Sequence, residues 1–473
     1  MKRVLKFKVV KRNYCTMGFI SLCIFFFLSP QKLFSLPLSE STPMNLPLKT
    51  AIELTLKQNR SLSRSMNAVE GAKLSVDNAM AAFDYKLIPN TEAQIMDSDP
   101  NFGVGVTLKK KWTMGFSLSA SPSITKGGDG YWGNMAFGLS IPLLRGWGKE
   151  TNLSNVYMAR FVDRNAERSL FKERVNSVLR TVSLVYNIVQ LKSLVLSYDG
   201  QVKRMRLYLK KLKHKKQIGM ATPLDVFRAE ILLKDTEDNL SVSLDSLSNN
   251  EKELKKNLAL DPRQTIHVSA PLSYPPIDVG MEEAVAMALA NRVEIEQEED
   301  LLVEVRRKSK IAKQDLLSDL MLEAVYQKRS DPDDVKSAFD LKDESWSVRL
   351  TSSTDWARTS ERIEYRRSLI EIENVKLNIE TLKDEIASEV VQKITSLEKT
   401  LARIGIREKQ LHQAQGKLQL SKMKYKNGMA DNFNMIESER EIQLAESNLL
   451  VVQKEYIVGL YELRASMGSL LDR

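Results

Sequence analysis

The sequence predicts a mainly α-helical chain that carries a membrane-type β-sheet and is built from one unit repeated twice. Three observations predict it. Two internal matches run in register, two helical stretches are far longer than a compact domain uses, and several short segments alternate apolar with small or polar residues.

The repeats set the domain plan. The segment from Leu48 (LKTAIELTLKQNRSL) matches that from Met281 (MEEAVAMALANRVEI), with Ala51 on Ala284, Leu56 on Leu289 and Leu62 on Ile295. A second match lays Gly219-Met220-Ala221 and Glu230 (GMATPLDVFRAE) on Gly428-Met429-Ala430 and Glu439 (GMADNFNMIESE). The seam is the Pro-rich stretch Ala270 to Pro276, which divides a first repeat, 36–269, from a second, 270–473. Each repeat reads helix, strands, very long helix, tight turn, helix.

Residues 1–35 have the anatomy of a secretory signal: a basic stretch, an apolar run from Met17 to Leu28, and a more polar exit to Ser35, the expected cleavage position. The run is short for a bilayer span, although an uncleaved anchor is the alternative. Seven lysines and arginines (Lys2, Arg3, Lys6, Lys8, Lys11, Arg12 and Lys32) lie there with no acid, so the net charge of +10 falls to about +3 without them. That removes the argument for nucleic acid. Both cysteines, Cys15 and Cys23, also fall in this segment, so disulfide and thiol chemistry are not expected in the exported chain.

In the first long helix Leu184, Ile188, Leu191, Val195, Tyr198, Val202, Met205, Leu209 and Leu212 recur in steps of four and three, a coiled-coil seam. In the second, Ile386, Val390 and Ile394 follow at successive steps of four, a stutter that unwinds the supercoil. Helices aligned side by side in a cylinder need that relaxation. From Thr151 to Ile218 there is no proline, which predicts a helix of about 100 Å. A coiled-coil rod would explain the helices equally well, so the strands decide.

Strands are expected at about 91–142 and 320–351. Phe102, Val104, Val106 and Leu108 interleave with Gly103, Gly105 and Thr107; Trp112 to Ala120 and Met135 to Ile141 alternate likewise, as do Trp346, Val348 and Leu350 in the second repeat. Thr91 to Ile95 is the earliest strand-like piece. Lys109-Lys110-Lys111 reads as the hairpin turn between the middle pair. One apolar face and one small, polar face suit lipid outside and water inside, and a closed barrel is the strand structure that crosses lipid with its backbone paired. A soluble half-buried sheet would alternate in the same way. Few strands per chain make an oligomer necessary for a barrel of useful width.

No GxSxG, HExxH, Walker-type loop or post-signal CxxC occurs, and His214, His267 and His412 are isolated, so neither catalysis nor a metal or cofactor is expected. Gly127-Gly128-Asp129-Gly130 reads as a loop at the barrel mouth.

Four motifs, in this order and partly repeated, resemble the TolC-like outer-membrane efflux proteins over nearly the whole exported chain: AIELTLKQNRSL, Ile141-Pro142-Leu143-Leu144-Arg145-Gly146-Trp147-Gly148, GMATPLDVFRAE and LALDP (Leu258 to Pro262). The resemblance implies a homotrimer in which a periplasmic α-barrel tunnel continues into an outer-membrane β-barrel embedded in lipid. It also implies docking of a periplasmic adaptor and an inner-membrane transporter at the helical end. The adaptor would meet the turns Gly219-Met220-Ala221-Thr222-Pro223 and Gly428-Met429-Ala430-Asp431. By the family's motif Asp225 and Tyr425 hold the entrance shut, Ala430 stands where an arginine is usual, and Asn434 and Glu437 take the place of an inner ring of aspartates. The chain departs from the family in offering four strand-like pieces in its first repeat where two are usual, and in lacking the proline that usually closes the second strand exit (Thr351 to Trp356). The function implied is a passive exit duct for efflux or type I secretion. The alternative is a periplasmic or surface coiled-coil scaffold without a pore.

Overall fold

The computed structural model describes residues 44–96, 99–128, 130–331, 334–427 and 432–472; the expected signal segment with Ser35 lies outside them. The first repeat runs β1 (Met44–Pro47), α1 (Leu48–Gln58), α2 (Arg60–Met80), β2 (Lys86–Met96), β3 (Asp99–Lys111), β4 (Ser117–Gly127), β5 (Gly130–Pro142), α3 (Lys149–Asn152), α4 (Ser154–Gln217) and α5 (Pro223–Asn257). β6 (Ile266–Ser269) lies just before the expected boundary at 270, and the second repeat runs α6 (Met281–Asn291), α7 (Val293–Gln314), β7 (Leu320–Arg329), β8 (Asp343–Ser352), α8 (Thr359–Lys426) and α9 (Asn432–Ser466). Duplication in sequence is duplication in structure apart from the short α3 of the first repeat and the strand count, four sheet strands in the first repeat and two in the second.

The matched positions do matched work. Ala51 and Ala284 are both fully buried, as are Thr55 and Ala288 four residues on. Each opening helix breaks at the same place, Asn59 (φ −61, ψ 127) and Arg292 (φ −71, ψ 121). Asn59 then caps α2, its side-chain oxygen accepting from the backbone N–H groups of Ser61 at 2.7 Å and Leu62 at 3.2 Å. β1 and β6 pair in parallel, Leu46 beside Val268, and their apolar residues pack with Ala51, Val185, Ile188, Leu254 and Leu258.

With 64 and 68 residues, α4 and α8 are each about 100 Å long. The helix expected from Thr151 begins instead at Ser154. Gly148 (φ +103) breaks the entry, and Asn152 donates its amide to the carbonyls of Gly146 at 2.7 Å and Gly148 at 3.0 Å. The stutter in α8 is buried as a unit: Ile386, Val390, Ile394 and Leu397 pack against Val452, Tyr456 and Leu463 of α9.

The six remaining strands form one antiparallel sheet in the order β2-β3-β4-β5-β7-β8. Its register puts Leu87, Leu108, Ala120, Phe137, Tyr326 and Trp346 in one row across one face. The opposite face carries Asn90, Thr107 and Ser121, linked by hydrogen bonds of 2.8 and 3.1 Å. Charged residues frame the apolar face, with Lys110 at one end and Lys126, Lys328 and Glu344 at the other. From Leu118 to Ile124 the band runs about 20 Å along the strand, comparable with the roughly 25 Å apolar band of membrane barrels.

Lys109-Lys110-Lys111 is not the hairpin turn. All three lie in β3, opposite Ser119, Leu118 and Ser117. The chain reverses over Trp112 to Phe116, where the Trp112 N–H donates to the Phe116 carbonyl at 2.9 Å and the two rings stack at 4.6 Å. Gly115 (φ +108) is required there, because a Cβ would stand 2.7 Å from the Gly146 carbonyl oxygen. Lys110 stays in the strand by donating to the Phe83 carbonyl at 2.6 Å and lying 4.3 Å over the Tyr85 ring. The second strand exit is closed without proline: Arg358 (φ +48) donates to the Leu316 carbonyl and to Ser318 Oγ, and Thr354 Oγ accepts from the Asp319 N–H at 2.9 Å.

Asp300 of α7 clamps the upper part of α4, accepting from Arg164 at 2.8 Å and Arg168 at 2.5 Å. Burial pushes its carboxyl up, but the hydrogen bonds from the two arginines overcome that and hold it below the usual carboxylate range. A depressed folded-state pKa stabilises the fold fully at neutral pH, and the contribution is lost as pH falls through the folded value. Asp300→Asn is therefore expected to cost about 1–2 kcal/mol at pH 7. Thermal melts of mutant and parent should converge as the pH is lowered past the carboxylate range.

Candidate functional site

The end of the molecule remote from the sheet is where α4 turns into α5. α4 stops by a complete Schellman motif: the Gly219 N–H donates to the Lys216 carbonyl at 3.1 Å and the Met220 N–H to the Lys215 carbonyl at 2.8 Å, with Gly219 at φ +74. α5 starts two residues later by a capping box with Pro223 at its first position. The Asp225 N–H donates to Thr222 Oγ at 3.2 Å, and Asp225 Oδ2 accepts from the Thr222 N–H at 2.9 Å and the Thr222 hydroxyl at 2.7 Å. The turn is thus specified locally. It presents an apolar surface in which Ile218, Met220, Leu224, Phe227 and Ile231 are each more than half exposed, while Ala221 packs inward. The matching turn, Gly428-Met429-Ala430-Asp431, lies outside the described residues.

Just above this turn, Val202, Met205, Tyr208 and Leu212 of α4 pack with Val226, Ala229, Leu232 and Leu233 of α5 and Ile436 of α9. Tyr425, near the end of α8, joins them: its ring meets Tyr208 edge-on at 6.0 Å and lies under the Lys215 ammonium at 4.2 Å. Asp225 is buried beside this cluster with its carboxylate engaged by Thr222. Asn434 is exposed on α9 and Glu437 half-buried one turn on. The structure therefore gathers Asp225, Tyr425, Asn434 and Glu437 at one end of the molecule.

Sequence reasoning missed the strongest charge cluster there. Glu439 is 1% exposed, with Arg204 of α4 at 3.3 Å and Lys422 of α8 at 3.4 Å. Gln201 donates its amide to the Glu439 backbone carbonyl at 3.3 Å, and Ser421 bonds Ser438 at 2.9 Å. A signal existed. The register that lays Glu230 on Glu439 also lays Lys213 on Lys422, and the structure pairs both sets, Lys213 with Glu230 at 2.7 Å. The second repeat buries its carboxylate, Glu439, where α4 packs on α9; in the first, Glu230 keeps 39% of its side chain in solvent.

Among the described residues no three His, Cys, Asp or Glu side chains gather to hold a metal ion. An antiparallel sheet with one apolar and one polar face, mounted on paired helices of about 100 Å, is the fold of a TolC-like outer-membrane channel protomer. Solved structures of outer-membrane channels share that fold. The outer-membrane channel OprN superposes at TM-score 0.70 and 16% identity over 89% of this chain and 90% of its own. The CmeC outer-membrane channel of Campylobacter jejuni superposes at 0.70 and 12% over 90% and 86%, and the outer-membrane protein VceC of Vibrio cholerae at 0.69 and 14% over 89% and 96%. No family model matches the sequence, and no curated protein sequence matches it.

Glu439→Gln removes the carboxylate from Arg204 and Lys422 at a buried position, and is expected to cost about 2 kcal/mol, tempered by the partial exposure of both cations. Glu230→Gln, its repeat-mate, should cost no more than about 0.5 kcal/mol. Denaturant midpoints of the two single mutants test the contrast.

Proposed function

We propose that the chain is one protomer of a homotrimeric outer-membrane exit duct serving a tripartite efflux or type I secretion system. The observation that carries this is the sheet: a single antiparallel layer with an apolar face framed by charges, a polar opposite face and two unpaired edges, joined to helices long enough to cross a wide periplasm. A coiled-coil scaffold has no use for that apolar face. The duct is passive. An inner-membrane transporter supplies the energy and a periplasmic adaptor joins it to the helical end, so cargo is chosen elsewhere. Extracted in detergent, the protein is expected as a heat-modifiable trimer that forms discrete channels in planar bilayers; a carbonate-extractable elongated monomer would overturn the reading.

Adaptor docking fits the helical tips, Gly219 to Pro223 and Gly428 to Asp431. The exposed apolar surface around Met220 supports this for the first of them. A charged residue at Met220 or at Ala430 is expected to abolish adaptor-dependent export while trimer assembly and membrane insertion persist. Unchanged export would count against docking there.

The gate fits the same end. Loss of the Asp225 carboxylate undoes the box that starts α5, so Asp225→Ala should raise the open probability. Glu437 carboxylates from three copies around one axis attract cations. Reversal potentials across a salt gradient should show modest cation selectivity that Glu437→Gln reduces, with Asn434 adding no charge.

A further inference from the structure

The sheet is wider than two hairpins. β2 and β3 form an additional hairpin whose outer strand is one edge, while β8 is the other. Both edges are bare: every residue of β8 is exposed, as are residues 86–95 of β2, including Leu87, Ile95, Trp346, Val348 and Leu350. β8 has neither proline nor glycine and β2 has one proline, Pro89, so neither edge carries much of the protection that free edges need. The hairpin nevertheless continues the wall. Leu87, Pro89, Thr91, Ala93 and Ile95 extend the apolar face set by Phe102 to Leu108, and Asn90, Glu92 and Gln94 extend the polar one.

Two further features concern closure. The row that starts at Lys86 passes through Lys109, Ser119, Gly138 and Val325 and reaches β8 at Ser347, five residues before that strand ends at Ser352. The strands are thus staggered, as tilted barrel strands must be. The strand number is even, so β2 leaves α2 in one direction and β8 enters α8 in the other. Copies arranged head to tail then keep every neighbour antiparallel.

We infer that β8 of each copy pairs with β2 of the next, so that three copies close one eighteen-stranded barrel. This rests on the trimeric duct proposed above. The four strands β4, β5, β7 and β8 alone would close twelve. Since barrel diameter grows nearly in proportion to strand number, the inferred collar is roughly one and a half times as wide. The membrane end is then not the narrow part of the conduit, and discrimination falls to the helical end.

Cys15 and Cys23 are the two cysteines of the sequence, and with both replaced by serine disulfide mapping is clean. In the closed register the polar-face residue Asn90 stands opposite Ser347 or Arg349 of the neighbouring copy. Within one copy these sites are five strands apart and cannot bridge. Oxidised Asn90→Cys/Ser347→Cys or Asn90→Cys/Arg349→Cys should run as a covalent trimer in denaturing gels, whereas Ser121→Cys with either partner should remain at monomer mass. Covalent trimers through Ser121→Cys, or none through Asn90→Cys in protein that is trimeric by native mass, overturn the inference and leave the duct intact. Protein that is not trimeric at all overturns the duct instead. Projection images of the unmodified trimer in nanodiscs give a second reading independent of the mutants: a collar of twelve-stranded width sinks the eighteen-stranded barrel.

Discussion

The packing of α4 is the constraint on which the rest of the structure depends. From Ser177 to Ile188 it is buried toward several neighbours at once, with Val182, Val185 and Ile188 fully enclosed. At that level a small polar knot fixes its rotation. Thr181 Oγ lies 2.7 Å from Thr55 Oγ and accepts from the Asn257 amide at 2.8 Å, while the Asn59 amide donates to the Asn257 carbonyl at 2.9 Å. Four helices are thereby locked in one azimuth. Fixing the azimuth of a helix of about 100 Å fixes which of its faces meets each neighbour along its length, from the sheet to the helical tip.

Much of the fold is legible in the sequence because its signals are periodic and repeated. Alternation of side chains at Phe102 to Leu108 and Met135 to Ile141 gives strand and face together, and the unusual four-strand count of the first repeat is visible in the same way. The Lys109 to Lys111 turn misled because a charged run usually marks a solvated loop. Here Lys110 finds a carbonyl and a ring at the end of the strand, while the reversal depends on Gly115 and on stacking of Trp112 with Phe116. At the candidate site the turn chemistry of Gly219, Thr222, Pro223 and Asp225 is local and can be read from neighbours in sequence. The Arg204, Lys422 and Glu439 cluster joins three helices separated by hundreds of residues, so its burial is a property of packing.

The two Lys–Glu pairs show how a duplicated unit diverges in energetics while keeping its residues. Lys213–Glu230 sits in water and contributes little beyond local preference. In Lys422–Glu439 the carboxylate has lost its water, and the Arg204 guanidinium at 3.3 Å joins Lys422 in compensating. Desolvation makes the second arrangement less tolerant of substitution than the first. The asymmetry arises from which helix the chain folds back against, since α9 has α4 beside it within the same protomer.

The pairing of β5 with β7 links the sheet's two halves across the entire excursion of α4, α5, α6 and α7, from Pro142 to Leu320. A contact so distant along the chain forms late, because its loop-closure entropy is offset only after the intervening helices have collapsed. The hairpins β2 to β5 close through short turns and can form early, which leaves an amphipathic half-sheet waiting for its complement. Such an intermediate exposes an apolar face and two strand edges in aqueous surroundings. The sheet is completed only when β7 reaches β5 and the register from Pro142–Met321 to Asn134–Arg329 closes.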